Sequence, residues 1–405
     1  MVTAFDSIRV GSRFLRNRIV MAPMTRNRAY GPGATPTAAM ATYYAQRASA
    51  GLIITEGVQP SAVGQGTPNT PGLHTEEQVA AWRTVTDAVH ERGGVIFAQL
   101  MHAGRISHPS ILPPGSAPVG PSAVRAAGQV FAGGRMRDTV TPVQLTEPEI
   151  LQTVQDFATA GRNAVDAGFD GVEVHGGNGQ LLHQFLAPNS NRRTDGWGGS
   201  VAGRIRMTIE VATAIANAIG ANRVGLRISP TNPNNDIVEV DPEETYEKLV
   251  EAVNPLGLAY LHVSDRGDPA LTSLLRASFR GPFLLNPWTP GRSTGPDDLG
   301  LIEDGSADLL SFGALFLANP DLPARLEVGG PLNTPDRATY YGGDEHGYTD
   351  YPALASGDIA SSSGSSPHAK RGQPTRELRT GCDGQHGNGA DSTVRETGEV
   401  GSTRL

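Results

Sequence analysis

The chain has 405 residues, with 33 Lys+Arg against 41 Asp+Glu and a formal charge of −8. That mildly acidic balance has no basic stripe, which argues against a nucleic-acid partner. Cys382 is the only cysteine, so no intrachain disulfide or multi-cysteine metal site can form.

The N-terminus, "MVTAFDSIRVGSRFLRNR", lacks the apolar stretch of a signal peptide, and no run approaches the ~20 apolar residues of a membrane span. A soluble cytoplasmic protein is expected, of a size that admits one barrel of roughly 250 residues plus extensions. Short apolar runs then recur: "RIVMAPMT" (18–25), "GLIITEG" (51–57), "GVIFAQL" (94–100), "GFDGVEVH" (168–175), "RVGLRIS" (223–229), "AYLHVS" (259–264), "GPFLLN" (281–286) and "ADLLSFG" (307–313). Near-continuous apolar runs suit strands buried on both faces of a parallel sheet. Between the second and third, Val79, Trp82, Val85 and Val89 repeat at helical spacing, with Thr75 as N-cap and Gly93 as C-cap. Residues 146–167, 200–220 and 242–257 also read as helices, and Asp241–Pro242 is a start signal for the last. Strands alternating with helices predict an α/β fold, a (β/α)8 TIM barrel over residues 1–354. A doubly wound sheet is the alternative, weakened because no GxGxxG follows the first run. From Ala355 to Leu405 the chain is rich in Gly, Ser and charge, and a disordered tail is expected there. The sequence leaves the oligomeric state open.

In such a barrel the C-terminal strand ends and the loops after them form the active face. The ends here carry Pro23, Met24 and Thr25, then Gly57, then Gln99 and Met101, then His175 and Asn178, then Arg227. A hydroxyl, an amide and a guanidinium beside a glycine suit a flat heterocycle with polar edges. His102 and His262 have no carboxylate or cysteine at ligand spacing, so no metal is expected.

The motifs "RIVMAPMTRNR", "QLMHAGR", "HQFLAPNSNRRTDGWGGS", "RISP", "LANPDLPARL" and "YYGGDEHGYTDYP" span Phe5 to about Leu354. In this order they resemble the Old Yellow Enzyme family of FMN-dependent ene-reductases. The resemblance implies FMN at the barrel mouth, NAD(P)H as reductant, and an α,β-unsaturated carbonyl compound as small-molecule substrate. It places Pro23, Met24, Thr25, Gly57, Gln99 and Arg227 around the isoalloxazine ring, His175 and Asn178 on the substrate's carbonyl oxygen, and Tyr341 near the substrate.

The sequence departs from the family in three places. Gln180 stands where the family has its proton-donating tyrosine, and a primary amide is far too weak an acid for that role. Met101 and Thr67 stand where aromatic residues line the substrate pocket, so a roomier pocket is expected. At the phosphate site Ala314 follows Gly313 in place of an arginine, and "LLNPWTPGRST" replaces a Gly-Gly turn; Pro287 and Pro290 lack N–H donors. Gly291 and Arg292 of that turn are expected to supply the missing phosphate contact. The expectation is an FMN-dependent oxidoreductase with altered proton chemistry. The alternatives are a flavin-poor or flavin-free isomerase or cyclase of an enone-type biosynthetic intermediate, or a catalytically silent ligand-binding barrel.

Overall fold

A computed structural model describes residues 1–354; the tail expected from 355 to 405, with Cys382, lies outside the described residues. Each of the eight apolar runs falls on one barrel strand, the second strand ending one residue beyond its run. These are β1 (Ile19–Met21), β2 (Leu52–Val58), β3 (Ile96–Leu100), β4 (Gly171–His175), β5 (Val224–Ile228), β6 (Tyr260–Ser264), β7 (Phe283–Asn286) and β8 (Leu309–Phe312). They close into a barrel in sequence order, every neighbouring pair parallel, with β8 joined to β1. This is a (β/α)8 TIM barrel. The first five strands are buried at every position, which is why their apolar runs are continuous rather than alternating.

The helices between the strands cover the barrel with one apolar face each. In α1 (Ala38–Gln46) Tyr43 and Tyr44 are buried; in α2 (Glu76–His90) the buried set is Trp82, Val85 and Val89. Thr75 caps α2 as its sequence predicts: its hydroxyl accepts from Gln78 N–H, and the Gln78 side chain accepts from the Thr75 N–H at 3.1 Å. Helix α3 (Glu147–Asp166) buries Ile150, Val154 and Phe157 and packs on α5 (Val201–Ile219), beyond the short α4 (Leu181–Leu186). Helix α6 (Pro242–Val253) begins at Asp241–Pro242. Each large apolar side chain so buried contributes about 1.5–3 kcal/mol, and these faces hold the strand ends in fixed register.

Two small elements lie outside the expected alternation. Ile8–Val10 and Arg13–Leu15 form an antiparallel pair before β1, and Gln129–Ala132 pairs with Arg135–Asp138 in the long connection between β3 and α3. Register within the barrel does the positioning. His175 is paired with Arg227 and Arg227 with His262, while Gln99 is paired with Glu173 on one side and Gly57 on the other.

Candidate active site

His175 ends β4 and is buried. Its Nδ1 accepts from the Gly177 N–H at 3.4 Å, which assigns the ring proton to Nε2. Burial, reinforced by Arg227 and two other histidines, holds its pKa well below the usual imidazole value, so the ring is neutral at pH 7. Asn178 sits at φ 53°, a left-handed conformation, and the loop after β5 pins it there. Ser229 Oγ accepts from the Asn178 N–H at 2.7 Å, and Asn235 Nδ2 donates to its carbonyl at 2.7 Å. Asn232 Nδ2 donates to Asn178 Oδ1 at 2.7 Å, so the amide oxygen is spent and the NH2 group faces His175 Nε2, 3.4 Å away. Two N–H donors side by side make a socket for one carbonyl oxygen.

Inside the barrel, below this pair, lies a polar layer. Gln99 Nε2 donates to Glu173 Oε1 at 2.8 Å, and Glu173 Oε2 accepts from His262 Nδ1 at 2.8 Å and from Tyr260 at 3.1 Å. His262 Nε2 in turn meets Ser311 Oγ at 3.0 Å. Burial pushes the Glu173 carboxyl up, but His262, the Arg227 guanidinium and the Gln99 amide outweigh it and hold the group below the ordinary carboxylate value. Because the Gln99 NH2 is committed to Glu173, its carbonyl oxygen is left without a partner among the described residues. The Thr25 hydroxyl is also without one there, and the Arg227 Nε is buried and unpartnered. A carbonyl acceptor, a hydroxyl and a cation are thus all left open.

Pro23, Met24 and Thr25 follow β1; Met24 is buried, and a side-chain carbon at Gly313 would come 3.7 Å from its sulfur. At Gly57 a Cβ would lie 2.7 Å from the Met101 sulfur, so glycine here lets Met101 approach closely. The Thr67 hydroxyl accepts from Asn27 Nδ2 at 3.2 Å. Tyr341 is 48% exposed, in a segment held by Arg26 and Arg28, which donate to the carbonyls of Tyr340 and Asp344. Gln180 is the N-cap residue of α4, but its side chain does not cap the helix; its Oε1 is buried with no partner.

The turn after β7 runs Pro287-Trp288-Thr289-Pro290-Gly291-Arg292, with no Gly-Gly pair. The Asn286 amide lies 3.5 Å from Arg227 and 3.4 Å from the Ser311 carbonyl. Gly291 is exposed at φ 78°. Arg292, beside it, forms a two-pronged ion pair with Asp298, both contacts 2.6 Å, so its charge is already balanced. Gly313 precedes the short helix Ala314–Ala318, with Ala314 its first residue.

The family model described as NADH:flavin oxidoreductase / NADH oxidase matches residues 3–333. The chain belongs to this family. A putative 12-oxophytodienoate reductase 5 of Oryza sativa subsp. japonica is 44% identical over 84% of this chain and 91% of its own. A probable flavin mononucleotide-dependent alkene reductase of Leishmania infantum is also 44% identical, over 85% and 96%. Among solved structures, morphinone reductase in complex with tetrahydroNAD is 40% identical and superposes with a TM-score of 0.83 over 88% of this chain and 99% of that one. The Old Yellow Enzyme homologue from Zymomonas mobilis gives 38% and 0.83 over 87% and 100%. The protein is thus an Old Yellow Enzyme-type flavin oxidoreductase. The open groups on Gln99, Thr25 and Arg227 fit the edge of a flavin ring.

Sequence reading missed Glu173, Asn232 and Asn235, and placed Glu56 at the end of the second strand without giving it a role. Glu173 was visible as the single acid in the apolar run "GVEVH", and the asparagines as the run "PTNPNND". Glu56 is fully buried next to Gly57: its Oε2 accepts from the backbone N–H groups of Arg26 and Asn27 at 3.1 and 3.3 Å, and its Oε1 has no partner. Burial pushes its carboxyl up to about 7 against the pull of Arg26 and Arg28.

Proposed function

We propose that this enzyme reduces the carbon–carbon double bond of an α,β-unsaturated carbonyl compound with FMN and NAD(P)H, taking the one proton it needs from solvent. The observation that carries this reading is the locked donor pair: Asn178 is held amide-first by Asn232, beside the neutral Nε2–H of His175. When bound, FMN supplies the hydride that NAD(P)H has given it, to the carbon β to the carbonyl. His175 and Asn178 hold the carbonyl oxygen and stabilise the negative charge that gathers there as the bond adds hydride. Gln180 has no proton to give at the α-carbon, but its unpartnered Oε1 accepts from a water and orients it there. Atoms balance: one hydride and one solvent proton enter, and a saturated carbonyl compound and NAD(P)+ leave. Met101 and Thr67, in place of aromatic side chains, give the substrate a less aromatic wall.

The turn at Pro287 and the alanine at 314 favour a second reading, a flavin-poor barrel in which the same donor pair isomerises or cyclises an enone. A visible spectrum of the purified protein, before and after FMN addition and desalting, separates the two. Anaerobic turnover of an enone panel in heavy water then tests the first. Deuterium at the α-carbon is expected, and Gln180→Tyr should raise turnover by about tenfold or more, since a placed acid contributes about 10²–10⁴. An FMN-loaded Gln180→Tyr enzyme that gains nothing on any enone would sink the solvent-proton reading.

A further inference from the structure

We infer that Arg266, held against Trp288, is the cation that binds the flavin phosphate in this protein. The inference rests on the FMN reading above. Sequence alone nominates Arg292, but that guanidinium is spent on Asp298, and Ala314 brings no charge.

Arg266 lies two residues beyond β6, whose loop is tied to the turn after β7 because Asp265 N–H donates to the Asn286 carbonyl at 3.0 Å. The tie brings the two loops into contact. Gly267, at φ 91°, has Trp288 so close that a side-chain carbon there would fall 2.9 Å from the indole. Only glycine fits both the backbone angle and that contact. The Arg266 guanidinium sits 5.6 Å from the centre of the Trp288 ring. Arg266 is half-buried, its Nε is buried without a partner, and it makes no hydrogen bond or ion pair with the described residues. Asp265 attracts it through space, but that carboxylate accepts from the N–H groups of Gly267 and Asp268 at 3.0 and 3.2 Å.

Burial lowers the proton affinity of Arg227, one strand away; Glu173 opposes this, and Arg266 adds a smaller repulsion. Both arginines keep a buried Nε without a partner among the described residues, and two neighbouring cations with unmet donors favour the entry of an anion. The order around the barrel fits a flavin laid across this side. A flavin whose ring lay against Arg227 on β5 would carry its phosphate toward the loop after β6, where Arg266 meets the turn after β7. A phosphomonoester there gains a charge-assisted contact that the proline turn cannot give through backbone N–H groups.

The test compares FMN with riboflavin, which lacks only the phosphate, by quenching of flavin fluorescence in the full chain. Wild type is expected to favour FMN over riboflavin. Arg266→Gln should weaken FMN by about ten- to a hundredfold and leave riboflavin unchanged; Arg266→Lys should keep part of the preference, and Arg292→Gln all of it. Wild-type FMN affinity in Arg266→Gln overturns the inference, as does equal loss of both flavins. So does an intact FMN affinity with a raised KM for NADPH, which would assign the guanidinium to the dinucleotide. A wild-type protein that binds neither flavin overturns the proposed function as well, which keeps the two failures distinct.

Discussion

Replacing Glu56 with Gln tests whether a titrating carboxyl is buried beside the site. Glu56 is fully buried, and its carboxyl is raised from 4.5 to about 7. A carboxyl raised on folding takes up its proton more readily in the native chain than in the unfolded one. The native state is therefore favoured below pH 4.5, loses that advantage as pH rises toward 7, and is level above it. At 1.36 kcal/mol per pKa unit, the full excursion is about 3 kcal/mol, of which about 2–3 kcal/mol falls between pH 5 and pH 8. Gln keeps an oxygen for the Arg26 and Asn27 N–H groups but cannot ionise. Urea unfolding followed by tryptophan fluorescence at several pH values should show the stability difference, variant minus wild type, growing by that amount from pH 5 to pH 8. All other titrating groups cancel in the difference. A difference that stays flat with pH would mean Glu56 is ionised throughout, and the burial argument would be wrong.

Asn232→Ala frees the Asn178 amide to turn over, so KM for an enone should rise about fivefold, the worth of one hydrogen bond, with little loss of FMN. An unchanged KM would remove the locking role. Glu173→Gln removes a negative charge next to Arg227 and the acceptor that orients Gln99. The reduction potential of the bound flavin should move in the positive direction and FMN affinity should fall; a negative shift in a dye-coupled titration would contradict the layer described above.

The barrel was legible because parallel strands buried on both faces cannot hide: each of the eight runs falls on a strand. Helix starts were legible where a side chain makes the cap, as Thr75 does with Gln78. The hairpin of Gln129–Ala132 and Arg135–Asp138 was not, since it is short and half its residues face solvent. In the site, the strand-end residues were legible from position alone. What held them was not: the left-handed turn at Asn178 depends on Ser229, Asn232 and Asn235, more than fifty residues away in sequence. The two arginines near the β7 turn show the same limit. Both carry one positive charge, and only the fold reveals that Arg292 has Asp298 while Arg266 has no such partner among the described residues.

Gln99, Glu173, His262 and Ser311 come from β3, β4, β6 and β8, yet each satisfies the next across the barrel axis. Changing one to an apolar residue leaves a neighbour with an unmet hydrogen bond in the driest part of the molecule. A change at any one of the four positions therefore calls for compensation at its neighbours, and the Gln99 amide is tied to that set. Gln180, Met101 and Ala314 at the mouth take no part in that layer, so substitutions there leave the interior hydrogen bonds intact.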